Sequence, residues 1–204
     1  MFHVSRFMTK KLLLHTCCAP CLTHPLAKLE KDYELTVFFY GPNIHPREEY
    51  EIRFKEARKY LARSPISRNG VIKMIEGEYD PERWFELTKG HERDPERGER
   101  CRICYEMRLA KTAETAVKEG FQAFATTLSI SPHKDAQLLN EIGEQLAKKF
   151  GVRYLPADWK KRDGFKKSLN LSKKFNLHRQ NYCGCVYSNP KSEVPRSGTK
   201  SAEA

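Results

Sequence analysis

Short apolar runs alternate with leucines at helical spacing in the first part of the chain. Residues 11–16 form an apolar run that ends abruptly, and Leu22, Leu26 and Leu29 follow it at intervals of three to four residues. This pattern predicts a strand, a turn and a helix. Residues 34–40 are rich in β-branched and aromatic side chains, which predicts a second buried strand.

The same alternation continues along the chain. We predict strands over residues 71–75, 121–126 and 152–155, helices over 48–61, 81–89, 101–119 and 131–150, and a partly helical basic stretch over 158–179. Strands that read as continuous apolar runs are buried on both faces. The pattern therefore predicts an α/β fold, a doubly wound parallel sheet with helices on both faces.

Length and composition define the expected domain organisation. A chain of 204 residues suits one domain and buries a core without covalent help. We expect an N-terminal extension over residues 1–10, a single α/β domain over 11–188, and a disordered tail over 189–204 that has almost no apolar side chains. No apolar stretch approaches the length of a membrane span or a signal-peptide core. We therefore expect a cytoplasmic protein with no membrane partner.

The seven cysteines are clustered. They form three groups, which are Cys17, Cys18 and Cys21, then Cys101 and Cys104, then Cys183 and Cys185. In a reducing compartment, clustered thiols favour metal or redox chemistry over structural disulfides. The first group lies at a strand-to-helix turn and the second at a helix start, where the helix dipole stabilises thiolates. These turns predict a Cys-rich site at the carboxyl ends of the strands.

The number of thiol ligands does not identify the metal group that they would bind. Four thiolates satisfy either tetrahedral zinc or a 4Fe-4S cluster. The four proposed ligands are Cys17, Cys18, Cys101 and Cys104. The C-x-C spacing of Cys183 and Cys185 is too tight for a zinc knuckle, and Gly184 between them would allow either a reversible disulfide or a second metal. This surplus of thiols favours redox chemistry over a structural zinc.

Four motifs in order along the chain resemble those of a known family. They are LHTCCAPC at residues 14–21, RCRIC at 100–104, TTLSISPHK at 126–134 and RQNYCGCVYS at 179–188. Over residues 11–188 the chain resembles the QueH family of epoxyqueuosine reductases. The resemblance implies a HUP-like fold and a 4Fe-4S cluster with a neighbouring mononuclear iron. It also implies the last step of queuosine biosynthesis, the two-electron reduction of epoxyqueuosine to queuosine at the wobble position of tRNA.

The resemblance also implies roles for the remaining site residues. Some of Cys21, Cys183 and Cys185 would hold the second iron as a Lewis acid, or Cys183 and Cys185 would form a redox-active disulfide; the sequence leaves both open. An unidentified low-potential electron donor is required. The candidate proton donors are His15, His133, Asp135 and Tyr182, and each has an alternative role as a structural hydrogen-bonding group.

The loop after the first strand argues against nucleotide binding. HUP-class ATP pyrophosphatases place a Gly- and Ser-rich loop there, because phosphate oxygens need close backbone approach. Here residues 17–21 contain no glycine, and Pro20 lacks a backbone donor. We therefore predict no ATP binding. Two other functions are weighed against the reductase: a zinc-binding RNA-binding module without catalysis, and a dithiol oxidoreductase that acts through Cys183 and Cys185.

The charge of the chain fits an RNA partner. The sequence holds 37 Lys and Arg against 26 Asp and Glu, a formal net charge of +11. Between residues 160 and 179 the single acid is Asp163, and so one-sided a charge is costly without an anionic partner. We predict phosphate contacts from Lys160, Lys161, Arg162, Lys166, Lys167, Lys173, Lys174 and Arg179. The interleaved Trp159, Phe165 and Phe175 would either stack on bases or, as we favour, pack in the core.

Overall fold

A computed structural model describes residues 10–64 and 72–189. Its strands are β1 (Lys10–Thr16), β2 (Tyr33–Phe39), β3 (Lys73–Glu76), β4 (Ala123–Thr126) and β5 (Arg153–Tyr154). They form a five-stranded parallel sheet in the order β3-β2-β1-β4-β5. The predicted parallel α/β sheet is confirmed.

The helices are α1 (Ala19–Leu29), α2 (Arg47–Arg63), α3 (Pro81–Thr88), α4 (Glu99–Lys118), α5 (Ala136–Phe150) and α6 (Gly164–Lys174). Short 3-10 turns occupy Leu128–Ile130 and Val186–Ser188. Within residues 10–64 and 72–189, no helix combines the length and the apolar character needed to cross a membrane.

Helices cover both faces of the sheet because side chains alternate along each strand. Leu12 and Leu14 of β1 pack in one core cluster with Leu22 of α1. Leu13, between them, belongs to a second cluster with Ala113 of α4. All four leucines and Ala113 are fully buried. The doubly wound arrangement with helices on both faces is therefore confirmed.

The strand order creates a crevice between β1 and β4. From β1 the chain moves outward to β2 and β3, then returns across the sheet to place β4 on the other side of β1. Loops leave β1 and β4 in opposite directions at this switch point, where open parallel sheets bind their ligands. Cys17 follows β1 directly, and Thr127 follows β4.

Several element boundaries differ from the sequence predictions by a few residues. The helix predicted from residue 131 begins at Ala136, because the Asp135 carboxylate accepts hydrogen bonds from the backbone N–H groups of Gln137 (2.9 Å) and Leu138 (3.1 Å) and caps the helix there. The third strand covers Lys73–Glu76, and residues 65–71 lie outside the described part. The predicted N-terminal extension and tail also lie outside it, apart from Lys10 and Asn189.

Candidate active site

A cavity of about 530 Å³ lies at the carboxyl ends of β1 and β4. Residues from all four sequence motifs contribute to its wall, and Arg100 represents the motif at the start of α4. Its volume falls in the range of small-molecule sites, which run from about 300 to 1,000 Å³. Three cysteines line it, which are Cys17, Cys21 and Cys183.

The first cysteine group occupies the turn from β1 into α1. Cys17 is buried, and Cys18 is the N-cap of α1, where its Sγ accepts a hydrogen bond from the Cys21 backbone N–H at 3.4 Å. The Sγ atoms of Cys18 and Cys21 are joined as a disulfide, with the two Cα atoms 5.6 Å apart. A disulfide sulfur is not a thiolate, so Cys18 meets its predicted ligand role only after this bond is reduced.

The second group occupies the first turn of α4, as predicted. The Cys101 Sγ accepts a hydrogen bond from the Arg97 backbone N–H at 3.3 Å. Burial raises the pKa of the Cys101 thiol. Cys104 is buried in a small cluster with Cys185 and Trp84. The fold thus packs the first turns of α4 against the C-terminal cysteine pair, although the two segments are far apart in the sequence.

Arg108 connects the first two cysteine groups. Its fully buried guanidinium interacts electrostatically with both Cys17 and Cys104, and its Nε lies 3.4 Å from the His15 Nε2. Burial opposes the positive charge, but the attraction to Cys17 and Cys104 outweighs it, and the pKa of Arg108 is raised. The sequence interpretation missed this residue. The signal was present, because Arg108 lies four residues after Cys104 and therefore on the same helix face.

Two further cations were missed because their contacts come from distant segments. Arg53 of α2 is 1% exposed and donates to the carbonyl oxygen of Cys183 at 3.1 Å. Lys134 lies in the cavity wall with its Nζ 5.4 Å from the centre of the Tyr105 ring. Burial by itself raises the pKa of the Cys17 thiol, but the charges of Arg108 and then Arg53 overcome it, and that pKa lies below its ordinary value.

The third group is a tight loop held against the rest of the site. Gly184 has φ 111°, and a Cβ there would contact Ile44 and the Arg53 guanidinium, so the position requires glycine. The Cys183 Sγ lies 3.1 Å from the Ser188 hydroxyl. The Cys185 thiol donates to the Cys183 sulfur, which lowers the pKa of Cys183 well below its usual value and raises the pKa of Cys185. The pair therefore shares one proton.

His15 is completely buried and has partners at both ring nitrogens. Its Nε2 lies 3.1 Å from the carbonyl oxygen of Tyr40 and 3.4 Å from the Arg108 Nε. Its Nδ1 lies 2.8 Å from the Thr126 hydroxyl. Burial and then the charge of Arg108 lower the pKa of His15 far below its usual value. The ring joins β1, β2 and β4, and His15 is not part of the cavity wall.

The other three candidate proton donors occupy different positions. His133 is exposed in the cavity wall, and its Nδ1 is 3.7 Å from a Glu96 carboxylate oxygen. Tyr182 also lines the cavity, and its hydroxyl donates to the His45 carbonyl oxygen at 2.6 Å. Burial raises the pKa of the Tyr182 hydroxyl. Asp135 caps α5 and does not line the cavity.

The basic stretch is mostly exposed, but its members differ. Lys160 is half-buried, and its Nζ donates to the carbonyl oxygens of Ser129 (3.1 Å) and Lys134 (3.2 Å). Arg179 lines the cavity. The exposed members are Lys161, Arg162, Lys166, Lys167, Lys173, Lys174 and Arg179. Lys167 also borders a groove between α1 and α6 together with Lys28 and Lys31, two cations that the sequence interpretation left out.

The three aromatic residues of this stretch separate into two roles. Trp159 and Phe175 pack against the main core, as favoured, and the Trp159 Nε1 donates to the Thr126 carbonyl oxygen at 2.8 Å. Phe165 lies in the cavity wall instead. The core prediction is therefore confirmed for two of the three.

The thiols of this site are candidate metal ligands. Across residues 10–64 and 72–189, no three His, Cys, Asp or Glu side chains stand in an arrangement that could hold a metal ion. Five free thiols nevertheless belong to this region: Cys17, Cys101, Cys104, Cys183 and Cys185. Thiolates are the ligands that iron-sulfur clusters take, so the donor type fits such a group.

Fold and site together define a class of protein. The strand order β3-β2-β1-β4-β5, a cavity at the switch point and thiols in the loop after β1 are the features of a doubly wound α/β protein with a sulfur-rich site. Cations beside the thiols favour the reactive thiolate form, which suits oxidoreductase chemistry.

Comparison with known proteins gives the family. The family described as Epoxyqueuosine reductase QueH matches residues 12–191. A Haemophilus influenzae relative of that name is 42% identical over 180 residues, 87% of this chain and 71% of the relative. A Dehalococcoides mccartyi relative of that name is 38% identical over 182 residues, which cover 89% of this chain and 93% of the relative. A Thermotoga maritima relative of that name is 34% identical over 180 residues, which cover 87% of this chain and 89% of the relative. This chain belongs to the QueH family of epoxyqueuosine reductases, and the predicted resemblance is confirmed.

Proposed function

We propose that this chain reduces epoxyqueuosine to queuosine at the wobble position of tRNA, in the cavity at the carboxyl ends of β1 and β4. The observation that carries the proposal is the meeting of three cysteine groups at one cavity in a member of a family named for this reaction. Removing the epoxide oxygen breaks two C–O bonds, consumes two electrons and two protons, and yields an alkene and water. A zinc-binding module or a protein dithiol oxidoreductase is not favoured by the family.

We propose that a 4Fe-4S cluster is held by Cys17, Cys18, Cys101 and Cys104, with Cys18 released by reduction of its bond to Cys21. Such a cluster, when bound, supplies electrons one at a time. The buried guanidinium of Arg108 lies among these thiols, and its charge stabilises the Cys17 thiolate. Its charge also offsets the negative charge that four thiolates bring into a buried site.

The remaining thiols, Cys21, Cys183 and Cys185, admit two chemistries. They supply sulfur ligands for a second, mononuclear iron, or Cys183 and Cys185 give up two electrons and two protons as they close to a disulfide. The hydrogen bond from the Cys185 thiol to the Cys183 sulfur supports either role, because it lowers the pKa of Cys183 and so favours its thiolate. His133 and Tyr182 stand in the cavity wall as proton donors for the epoxide oxygen.

The decisive experiment is anaerobic. Protein purified without oxygen is analysed for iron, sulfide and zinc, and an anticodon stem-loop carrying epoxyqueuosine is incubated with it and a strong chemical reductant. We expect broad visible absorbance, iron with sulfide, and formation of queuosine. A colourless zinc protein that leaves the epoxide intact contradicts the proposal.

A single substitution tests the ligand set. Cys101→Ser is expected to lose both the visible absorbance and turnover, because a serine hydroxyl is a poor ligand for the cluster. Thr115→Ser, near the other end of α4, is the matched control and should keep both. Full activity in Cys101→Ser would remove Cys101 from the proposed ligands. Iron counts in Cys183→Ser, measured in parallel, distinguish a second iron from a dithiol.

A further inference from the structure

One part of the cavity wall has no role in the proposed redox chemistry. Phe165, at the start of α6, and Arg179 and Gln180, which precede the cysteine loop, line the cavity. None of these three side chains carries a thiol, so their presence in the wall calls for a different explanation.

Phe165 and Arg179 form a flat, cationic surface. The Arg179 guanidinium carbon lies 5.9 Å from the centre of the Phe165 ring, and its Nη1 donates to the buried Ser172 hydroxyl at 3.2 Å. Burial lowers the pKa of Arg179, although arginine stays charged at neutral pH. Aromatic rings and guanidinium planes are the surfaces on which proteins stack unpaired RNA bases.

Gln180 adds a hydrogen-bond acceptor without a donor. Its side-chain oxygen is buried, and within the described residues nothing donates to it. A buried acceptor left unpaired is costly, so a ligand that supplies an N–H group gains by satisfying it. The amide belongs to the same wall as Phe165.

We propose that this wall recognises a guanine-type base, which stacks on Phe165 and donates from its Watson–Crick edge to Gln180. A guanine edge offers an N1–H and a 2-amino group, both of which are donors that match an unpaired oxygen. The inference deepens the proposed function, because epoxyqueuosine carries a guanine-type base. The inference assigns selection of the base to Phe165 and Gln180, whereas the cysteines carry the proposed redox chemistry.

Equilibrium binding tests the base selection without turnover. Two otherwise identical anticodon stem-loops are compared, one with guanosine and one with inosine at the wobble position; inosine lacks the 2-amino group. The wild-type protein should bind the guanosine RNA about tenfold more tightly, because inosine leaves the Gln180 oxygen with one donor fewer. Absence of any preference in the wild-type protein contradicts the inference.

Substitutions at Gln180 and Phe165 test whether these residues cause the preference for guanosine and the stacking. Gln180→Ala should abolish the preference, whereas Gln180→Glu, which keeps an acceptor, should retain it. Gln137→Ala is the matched control, because Gln137 is exposed on α5 and bonds only Glu141 among the contacts of its side chain. Phe165→Leu should weaken binding of both RNAs by about 5- to 150-fold, and Phe165→Trp should restore it.

These outcomes separate the inference from the proposed function. If the wild-type protein reduces epoxyqueuosine while Phe165→Leu and Gln180→Ala bind both RNAs as the wild type does, the inference is wrong and the function stands. If the variants change binding as expected while the wild-type protein, loaded with iron, leaves the epoxide intact, the function is wrong and the base site stands. Retained binding in Phe165→Trp and Gln180→Glu excludes misfolding as the cause.

Discussion

At the scale of single residues, the thiols are governed by a few buried cations. Arg108 interacts electrostatically with two cysteine groups that are far apart in the sequence, and Arg53 donates to the backbone of the third. The spacing of the cysteines predicted which thiols would matter, whereas the residues that set their ionisation came from helices α2 and α4. Only Arg108 left a trace in the sequence, through its i,i+4 relation to Cys104.

Loss of the Arg108 charge should destabilise the reduced protein. Breaking a buried ion pair from one side costs about 3–5 kcal/mol, and because Cys17 and Cys104 can take up protons we expect the low end, about 3 kcal/mol, for Arg108→Met. Urea unfolding under anaerobic, reducing conditions measures it. Arg102→Met is the control, since Arg102 lies on the same helix but is half exposed, and it should change stability little. Equal losses in both variants would contradict the role of Arg108.

Cys183 should remain a thiolate at a lower pH than an ordinary cysteine. Its pKa is lowered, chiefly by the thiol of Cys185, so its charged form persists as the pH falls below the usual value of about 8.5. Alkylation of reduced, metal-free protein at Cys183 should therefore stay nearly constant from about pH 8.5 to 7, where a free thiol slows about tenfold per unit. In Cys185→Ala this hydrogen bond is lost, so the pH below which alkylation of Cys183 slows should be higher than in the wild-type protein. An unchanged profile in that variant argues against the shared proton.

At the scale of elements, helix starts determine where the site residues lie. α1 and α4 both begin with cysteines in their first turns, and both starts were predicted to within three residues. The start of α5 was predicted too early, because Pro132 was taken as its first turn when Asp135 is the actual cap. A proline and a capping aspartate are both valid start signals, and the choice between them depends on the loop that leads out of β4.

Two substitutions at Asp135 measure the cap and test the predicted proton donor together. Asp135→Ala should lower stability by about 1 kcal/mol, because two N–H groups lose their acceptor. Asp135→Asn should keep the wild-type melting temperature, since asparagine caps as well as aspartate. Turnover of the folded Asp135→Asn protein then decides the second question: retained turnover assigns Asp135 to the cap alone, and lost turnover supports proton donation.

At the scale of the whole molecule, α6 borders both the cavity and a groove lined by basic side chains. α6 carries Phe165 and Ser168 in the cavity wall, while Lys167 borders the groove shared with Lys28 and Lys31 of the α1 side. One helix therefore faces both the site for the base and a surface suited to phosphates. The net charge of +11 predicted an anionic partner, and the fold adds the α1 cations to the predicted basic stretch.

RNA binding should depend steeply on salt, because phosphate contacts release counterions. Each lost contact reduces the slope of log K against log salt by about 0.7–0.9. Lys28→Gln, Lys31→Gln and Lys167→Gln should each show this reduction in titrations of a tRNA anticodon arm from low to moderate salt. Lys118→Gln is the control, because Lys118 ends α4, about 25 Å along the helix from Cys101. A flat wild-type salt dependence would remove the basic surface from the proposal.

The sequence by itself determined the alternating strands and helices, the parallel sheet and the clustering of thiols, because these depend on local periodicity and spacing. It also gave the family, through four motifs in order. Only the tertiary structure decided that Arg53 and Lys134 lie among the thiols and that Phe165 leaves the core for the cavity. Those contacts join residues separated by tens of positions. They exist only after the β1 and β4 ends meet at the switch point, so no local pattern could encode them.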